Sequence, residues 1–141
     1  MADDGSDFAR SMSIATSGLR AQAGRMRVIS ENIANADSTA PTSAGDPYRR
    51  KVPTFSSALD RSLDARVVTL GKVRTDQSAF RIKNEPGNPA ADVAGNVKYP
   101  NVNPLVEMTD MREAQRSYEA NLNIISATRR MIQRTLDILK A

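Results

Sequence analysis

The sequence predicts a mainly α protein, with long N- and C-terminal helices paired as a coiled coil and an irregular or small-β segment between them. Both ends of the chain carry a long apolar heptad repeat, and all seven prolines lie between Pro41 and Pro104. Steps that alternate three and four residues average 3.5, which keeps one apolar line facing a partner helix. We therefore expect three segments: 1–37, 38–103 and 104–141.

The N-terminal helix is predicted to run from Ser6 to Ala36, because the next residues compete with helical hydrogen bonding and lead into Pro41. Gly18 and Gly24 lie inside it and cost about 1 kcal/mol each relative to alanine. Something must compensate for that cost, and close helix packing is one candidate. The apolar line of this helix runs through Phe8, Met12, Ala15, Leu19, Gln22, Met26, Ile29, Ile33 and Ala36.

The middle of the chain is predicted to be extended, with one hairpin and no large core. Two stretches, 66–74 and 80–83, are strand-like, and residues 55–63 are predicted as a short helix. Glycines and prolines interrupt the segment at Gly45, Pro47, Pro53, Gly71, Pro86, Gly87, Pro89, Gly95 and Pro100.

The C-terminal helix is predicted from Pro104 to Ala141, because Asn103 can cap it and proline suits the first helical position. The same prediction makes residues 101–104 a structural turn rather than a ligand loop. The apolar line of this helix runs through Met108, Met111, Gln115, Tyr118, Leu122, Ile125, Arg129, Ile132, Leu136 and Leu139.

The helix-pairing and assembly interface is predicted on these two lines. Polar residues interrupt them at Gln22, Gln115 and Arg129, and these either specify register or face solvent at the edge of the contact. Other apolar residues lie off the lines and would stay wet in a two-stranded coil, so we expect further neighbours from other copies or other chains. The predicted interface residues are Met12, Leu19, Met26, Ile29, Ile33, Met108, Met111, Tyr118, Leu122, Ile125, Ile132 and Leu136.

Charged residues suggest one further contact. Arg49, Arg50 and Lys51 form the densest basic cluster and are a candidate intersubunit contact. Nucleic-acid binding is the less favoured alternative, because acidic residues lie close by and no face forms a phosphate track. The pair Glu107 and Asp110 is interpreted as solvated surface that matches the helix dipole rather than as a catalytic pair.

Composition argues against catalysis. The chain of 141 residues has no Cys and no His, which excludes thiolate chemistry, zinc–sulfur sites and the commonest general base. We predict no catalytic residue, no metal site, no cofactor and no nucleic-acid partner. Asp3, Asp4 and Asp7 at the N-terminus argue against a cleaved signal peptide, and no apolar run approaches the roughly 20 residues that span a bilayer.

Four stretches carry a resemblance to a known family. Residues 17–22 (SGLRAQ) and 31–39 (ENIANADST) resemble the N-terminal signature of the rod and hook proteins of the bacterial flagellum. Residues 100–121 (PNVNPLVEMTDMREAQRSYEAN) and 46–51 (DPYRRK) resemble the proximal-rod members of that family. One departure is Asn88, at a position where the family usually has histidine.

The resemblance implies a structural protein rather than an enzyme. It implies that the terminal helices pack beside those of neighbouring subunits in a hollow, torque-transmitting shaft across the periplasm. Its implied partners are copies of itself, other rod and basal-body proteins and the flagellar type III export apparatus, without direct insertion into a membrane. The alternative of another class is a cytoplasmic coiled-coil adaptor.

Overall fold

The computed structural model describes residues 4–140, with side chains from Ser6 onward. Helix α1 spans Asp4–Ala34 and helix α2 spans Pro104–Lys140, and short antiparallel strand pairs lie between them in the chain. The prediction of two long terminal helices with a small-β middle is confirmed. Helix α1 begins and ends two residues earlier than predicted. The predicted last helical residue, Ala141, lies outside the described residues, as does Asp3.

The helix α2 begins as its sequence predicts. Asn103 Oδ1 accepts a hydrogen bond from the Leu105 N–H at 3.1 Å, and the Asn103 carbonyl accepts one from the Glu107 N–H. Pro104 occupies the first helical position, where its missing N–H removes no helical hydrogen bond. Residues 101–104 therefore deliver a capped helix.

The strands among residues 4–140 are Lys51–Val52 (β1), Phe55–Asp60 (β2), Ala65–Leu70 (β3), Arg74–Thr75 (β4), Arg81–Asn84 (β5) and Asn96–Tyr99 (β6). They pair in three antiparallel ladders. β2 and β3 form the longest, with Phe55 opposite Leu70 and Asp60 opposite Ala65. β1 pairs with β4, and β5 pairs with β6.

The short helix predicted for residues 55–63 is wrong, since this stretch contains β2 and its turn. The turn 61–64 closes with Asp64 in the left-handed region at φ 46°, which aspartate tolerates better than most residues. The β-branched strand β3 supplies a partner, so pairing overrides a weak local helical preference. The predicted strand 66–74 divides at Gly71 into β3 and β4.

The chain forms two compact units. The first contains residues 4–26, 54–72 and 113–140, and the second contains residues 27–53 and 73–112. The division into three successive segments remains a prediction.

In the first unit the two helices run side by side in opposite directions. A Cβ built on Gly18 would lie 2.8 Å from the Asn121 amide, and Arg25 lies 3.5 Å from Glu113. The residue number falls along α2 as it rises along α1, so the helices are antiparallel. Hairpin β2–β3 lies beside α1, where Ser17 Oγ accepts a hydrogen bond from the Val68 N–H at 3.2 Å.

The two helical glycines face different neighbours, and this predicts opposite effects of alanine. At Gly18 a methyl would meet the Asn121 amide, which is itself held by a 2.9 Å bond to the Ser117 carbonyl. At Gly24 it would meet only the end of Leu70, at 2.7 Å from Cδ2. We expect Gly18→Ala to lower the free energy of unfolding by about 1 kcal/mol and Gly24→Ala to leave it unchanged or raise it by up to about 1 kcal/mol. Urea unfolding of both variants checks this, and equal effects would contradict it.

In the second unit a small apolar core lies under β6. Val97 is fully buried and packs with Ala90 and Tyr99, and Val102 is also fully buried. Ala36 and Ala40, which follow α1, are also buried. The end of α1, the ladder β5–β6 and the approach to α2 thus belong to one folded unit.

Candidate functional site

Asn32, in the last helical turns of α1, makes four hydrogen bonds through its side chain. It is fully buried. Its Nδ2 donates to the Lys51 carbonyl at 2.8 Å and to Glu107 Oε2 at 3.0 Å. Its Oδ1 accepts from the Tyr48 hydroxyl at 2.8 Å and from the Lys51 N–H at 2.9 Å. An asparagine amide offers two donors and two acceptor positions, so every one is used.

Glu107, in the first turn of α2, is 1% exposed and faces Asn32. Its Oε1 accepts a hydrogen bond from Arg50 Nε at 2.6 Å, and its Oε2 accepts the bond from Asn32. A buried carboxylate is tolerated only when it is paired and hydrogen-bonded, and here both oxygens are engaged. The interpretation of Glu107 as solvated surface is therefore wrong. In the sequence, an acidic residue in the first turn of a helix is explained by the helix dipole alone. The burial of Glu107 depends on the tertiary fold.

Arg50 connects Glu107 to further acidic groups of the same chain. Its guanidinium lies 3.6 Å from Asp110 and 3.9 Å from Asp76. Its backbone N–H donates to Asn101 Oδ1 at 2.8 Å. The Arg50 cation therefore lies among three carboxylates, which compensates the charge that the fold buries on Glu107.

Asn101 completes what we call the polar network, defined as Asn32, Tyr48, Arg50, Asn101 and Glu107. Its Nδ2 donates to Ser78 Oγ at 2.8 Å and to the Asp76 carbonyl at 3.1 Å. The sequence predicted only a turn here, so this role was missed. The available signal was the clustering of all five residues in the stretches that carry the family resemblance.

Tyr48 lies beside Asn32 and close to two carboxylates. Burial, followed by the nearby charges of Glu31 and Glu107, raises the pKa of Tyr48 to about 12. A raised tyrosine pKa means that the folded state holds its proton more tightly than the unfolded state. The associated stability is complete below the unfolded pKa of about 10 and is lost as pH rises through the folded pKa.

The stability of the protein is accordingly expected to fall between pH 10 and pH 12. Tyr48→Phe should flatten this fall, because phenylalanine has no proton to lose. Part of the fall in stability should remain in this variant, because the pKa of Tyr99 is also raised, chiefly by its hydrogen bond to Glu85. Urea midpoints measured across this pH range test the prediction, and an identical slope in the variant and the parent chain would contradict it.

The other two members of the basic cluster also have partners within the chain. The Arg49 guanidinium lies 4.1 Å from the centre of the Phe80 ring, and Lys51 Nζ pairs with Glu31. Arg49 also donates to the Ser78 carbonyl at 3.4 Å. A contact of Arg49, Arg50 and Lys51 with another subunit stays a prediction.

The predicted interface residues differ in exposure within the subunit. Ile29 is buried. Eight are half-buried: Met12, Leu19, Met26, Ile33, Met111, Tyr118, Ile125 and Ile132. Three are exposed: Met108, Leu122 and Leu136.

The inward line of α2 differs from the predicted one at every second position. Glu107, Ala114 and Thr128 are buried, and Asn121, at the same heptad spacing, faces Gly18. The side chains at these four positions are mostly small or polar. They face inward in place of the predicted positions one residue later in the chain, which include Met108 and Leu122. The apolar positions displaced from the contact are exposed and are available to a neighbour.

The three polar residues of the predicted apolar lines also differ in exposure. Gln115 and Arg129 are exposed in the subunit. Gln22 Oε1 is buried and has no hydrogen-bond partner among the described residues. A role of these residues in setting the helix register stays a hypothesis.

Two structural features are absent from residues 4–140. No group of three or more acidic side chains is placed to hold a metal ion there. Neither described helix is long and apolar enough to cross a membrane. The site is a set of matched hydrogen bonds and charges that holds the ends of two helices together.

Comparison with known proteins identifies the family. Residues 12–40 match the family model described as flagella basal body rod protein, and residues 93–138 match the C-terminal model of the flagellar basal body rod FlgEFG proteins. The chain is 54% identical over 128 residues to the flagellar basal-body rod protein FlgC of Agrobacterium fabrum, covering 91% of this chain and 92% of that protein.

More distant relatives carry the same name. The FlgC protein of Bacillus subtilis is 37% identical over 145 residues, covering 92% of this chain and 97% of the relative. That of Salmonella typhimurium is 39% identical over 126 residues, covering 89% and 92%. In all three comparisons the match covers at least 89% of this chain. The chain belongs to the FlgC family of flagellar basal-body rod proteins.

Proposed function

We propose that this protein is a structural subunit of the proximal rod of the bacterial flagellar basal body. The observation that carries the proposal is 54% identity to a flagellar basal-body rod protein over nine-tenths of both chains. Its work is mechanical, and we propose no catalytic step. The charged groups of the polar network are engaged with one another, as expected of a structural role rather than of a reaction site.

The exposed apolar positions of α2 support assembly through the helices. Met108, Leu122, Ile124 and Met131 are each between 41% and 51% exposed. Large apolar side chains repeated along one helix indicate a contact surface rather than a solvated one. We propose that these residues pack against the helices of neighbouring subunits as a coiled coil around a hollow shaft.

The polar network gives this assembly a rigid base. Buried, fully satisfied polar groups specify one arrangement of the helix ends. A load on α1 is therefore passed to α2 through Asn32 and Glu107. We propose that this connection, repeated in every subunit, lets the rod transmit torque without sliding between its helices.

The proposed location is the rod as it crosses the periplasm. The partners are copies of the chain, other rod and basal-body proteins and the flagellar type III export apparatus. The similarity to flagellar basal-body rod proteins is what supports export by that apparatus. The apolar faces of a free subunit acquire partners only on assembly, which favours coupled folding and binding.

Deletion of the gene tests the proposal directly. Isolated basal bodies are imaged by electron microscopy while swimming is scored on soft agar. Basal bodies that stop at the inner-membrane ring, with swimming restored by the full-length chain, would support the rod assignment. Complete rods and normal swimming would refute it and would favour the cytoplasmic adaptor.

A further inference from the structure

The β2–β3 hairpin of the first unit has one edge covered and one edge open. β3 lies beside α1, where its Val68 N–H donates to Ser17 Oγ and the Leu63 carbonyl of the turn accepts a 2.6 Å bond from Arg10. Within residues 4–140, β2 pairs only with β3, and five of its six residues are exposed. The outer strand of the hairpin is therefore an edge strand in water.

The register determines which backbone groups reach that edge. The Gly71 N–H donates to the Thr54 carbonyl at 2.7 Å, so residues 54 and 71 form a hydrogen-bonded pair. Such pairs alternate along an antiparallel ladder, which leaves the N–H and C=O groups of Phe55, Ser57 and Leu59 pointing outward. Val68, which lies opposite Ser57, donates its N–H outward to Ser17 Oγ, as this alternation requires. Among the described residues these outward groups of β2 have no backbone partner.

The edge also lacks the features by which proteins usually block strand addition. Residues 55–59 contain no charge, no proline and no bulge. One face of the hairpin carries Phe55, Leu59 and Val68, which are 44%, 55% and 38% exposed. Side chains at alternate positions and a free backbone edge are the two elements that strand addition uses.

Charge indicates the chemistry of the partner. Arg66 lies opposite Leu59 on the same face, and it is the only charged residue there. Arg61 and Lys72 lie near the two ends of β2, and none of the three cations has an ion-pair partner among the described residues. Asp60, the last residue of β2, is on the opposite face and accepts hydrogen bonds from Ser62. An extended segment lying along β2 would therefore meet positive charge on the apolar face and near both ends.

A second copy of this chain does not fit this site well. The matching strand of a second copy, β2, carries one carboxylate, Asp60, which is already hydrogen-bonded to Ser62. Pairing β2 with β2 of another copy would also bring the like-charged Arg66 residues into one small sheet. Such a twofold pairing closes on itself and would not extend a shaft.

We propose that β2 binds an extended, acidic segment of a different protein by strand addition. The outward groups of Phe55, Ser57 and Leu59 bind its backbone. The apolar face receives its alternate side chains, and Arg66 pairs with a carboxylate. The site goes beyond the rod-subunit function, because it lies on the hairpin rather than on the exposed helix positions.

Peptide binding to the purified full-length chain tests the site. The probes are a short peptide that alternates valine with glutamate and its counterpart that alternates valine with lysine. We expect the glutamate peptide to shift the backbone amide signals of residues 55–60 and the lysine peptide to bind at least tenfold more weakly. Equal binding of both peptides, or shifts that map elsewhere, would overturn the proposal.

Matched variants separate the backbone from the charge. Ser57→Pro removes an outward N–H that the hairpin itself does not use, whereas Ser57→Ala keeps it. We expect a loss of at least tenfold for proline and none for alanine, and equal binding by the two would overturn the edge assignment. Arg66→Glu leaves the backbone intact and should also abolish binding, while Arg112→Glu on α2 should not. The Arg66 comparison remains decisive if the proline variant fails to fold.

A photo-cross-linking residue at position 59 in swimming cells identifies the occupant. An adduct to an acid-rich segment of another protein, lost with Arg66→Glu and kept with Arg112→Glu, would support the proposal. An adduct between two 15.3 kDa copies would replace the partner by a second copy and overturn it. Absence of any adduct in assembled flagella would also overturn it.

Discussion

Replacing Glu107 by alanine is expected to lower the free energy of unfolding by about 3 kcal/mol or more. The carboxylate is 1% exposed and holds both Arg50 and Asn32. Its removal leaves a half-buried guanidinium without its shortest partner and a buried amide with one unused donor. Urea unfolding followed by circular dichroism measures the change.

Two comparisons make this result specific. Glu119→Ala, at an exposed position of the same helix, should change stability by less than about 0.5 kcal/mol. The double variant with Arg50→Ala should lose less than the sum of the two single losses, because the residues share one contact. A loss at Glu107 no larger than at Glu119 would show that the buried pair contributes little.

Replacing Leu122 by aspartate is expected to abolish rod assembly and swimming while changing the stability of the free subunit little. Leu122 is 41% exposed in the subunit, so a charge there remains in contact with water. In a packed interface between helices the same charge loses its water and has no partner, which is strongly unfavourable. Soft-agar swimming and urea unfolding of the purified chain measure the two effects.

Val93→Asp is the matched control. Val93 is an apolar residue that is fully exposed on the loop between β5 and β6, outside both helices. The same substitution there should leave swimming intact. Leu19→Asp should also stop assembly, with a larger loss of subunit stability because Leu19 is half-buried. Normal swimming of the Leu122→Asp variant would show that the line of α2 through Leu122 is not part of the assembly interface.

Local signals predicted the helices well because those signals reside in neighbouring residues. The start of α2 depends on Asn103 and Pro104, which act within one turn of the helix. The glycines of α1 were correctly associated with close packing, although Gly24 faces the hairpin rather than the other helix. The heptad repeat identified which residues are apolar but not which of two adjacent lines of α2 faces α1.

The polar network shows why the candidate site was harder to predict. Asn32, Arg50 and Glu107 are separated by 18 and 57 residues, and each has a plausible local role as a helix or loop residue. Their common function depends on a tertiary contact that brings three chain segments together. The resemblance to rod proteins marked the right stretches without assigning a role to their polar side chains.

The sequence by itself determined the two terminal helices, the cap at Asn103, the interrupted middle and, through its signature stretches, the family. Periodicity, helix capping and the backbone restrictions of glycine and proline depend on nearby residues, so they can be predicted from the sequence without knowledge of the fold. Only the tertiary structure decided that residues 55–60 form a strand, that Glu107 is buried with Arg50 and that the apolar line of α2 through Leu122 faces outward. Strand pairing and the burial of charge depend on partners that are distant in the chain, and their energies exist only once those partners meet.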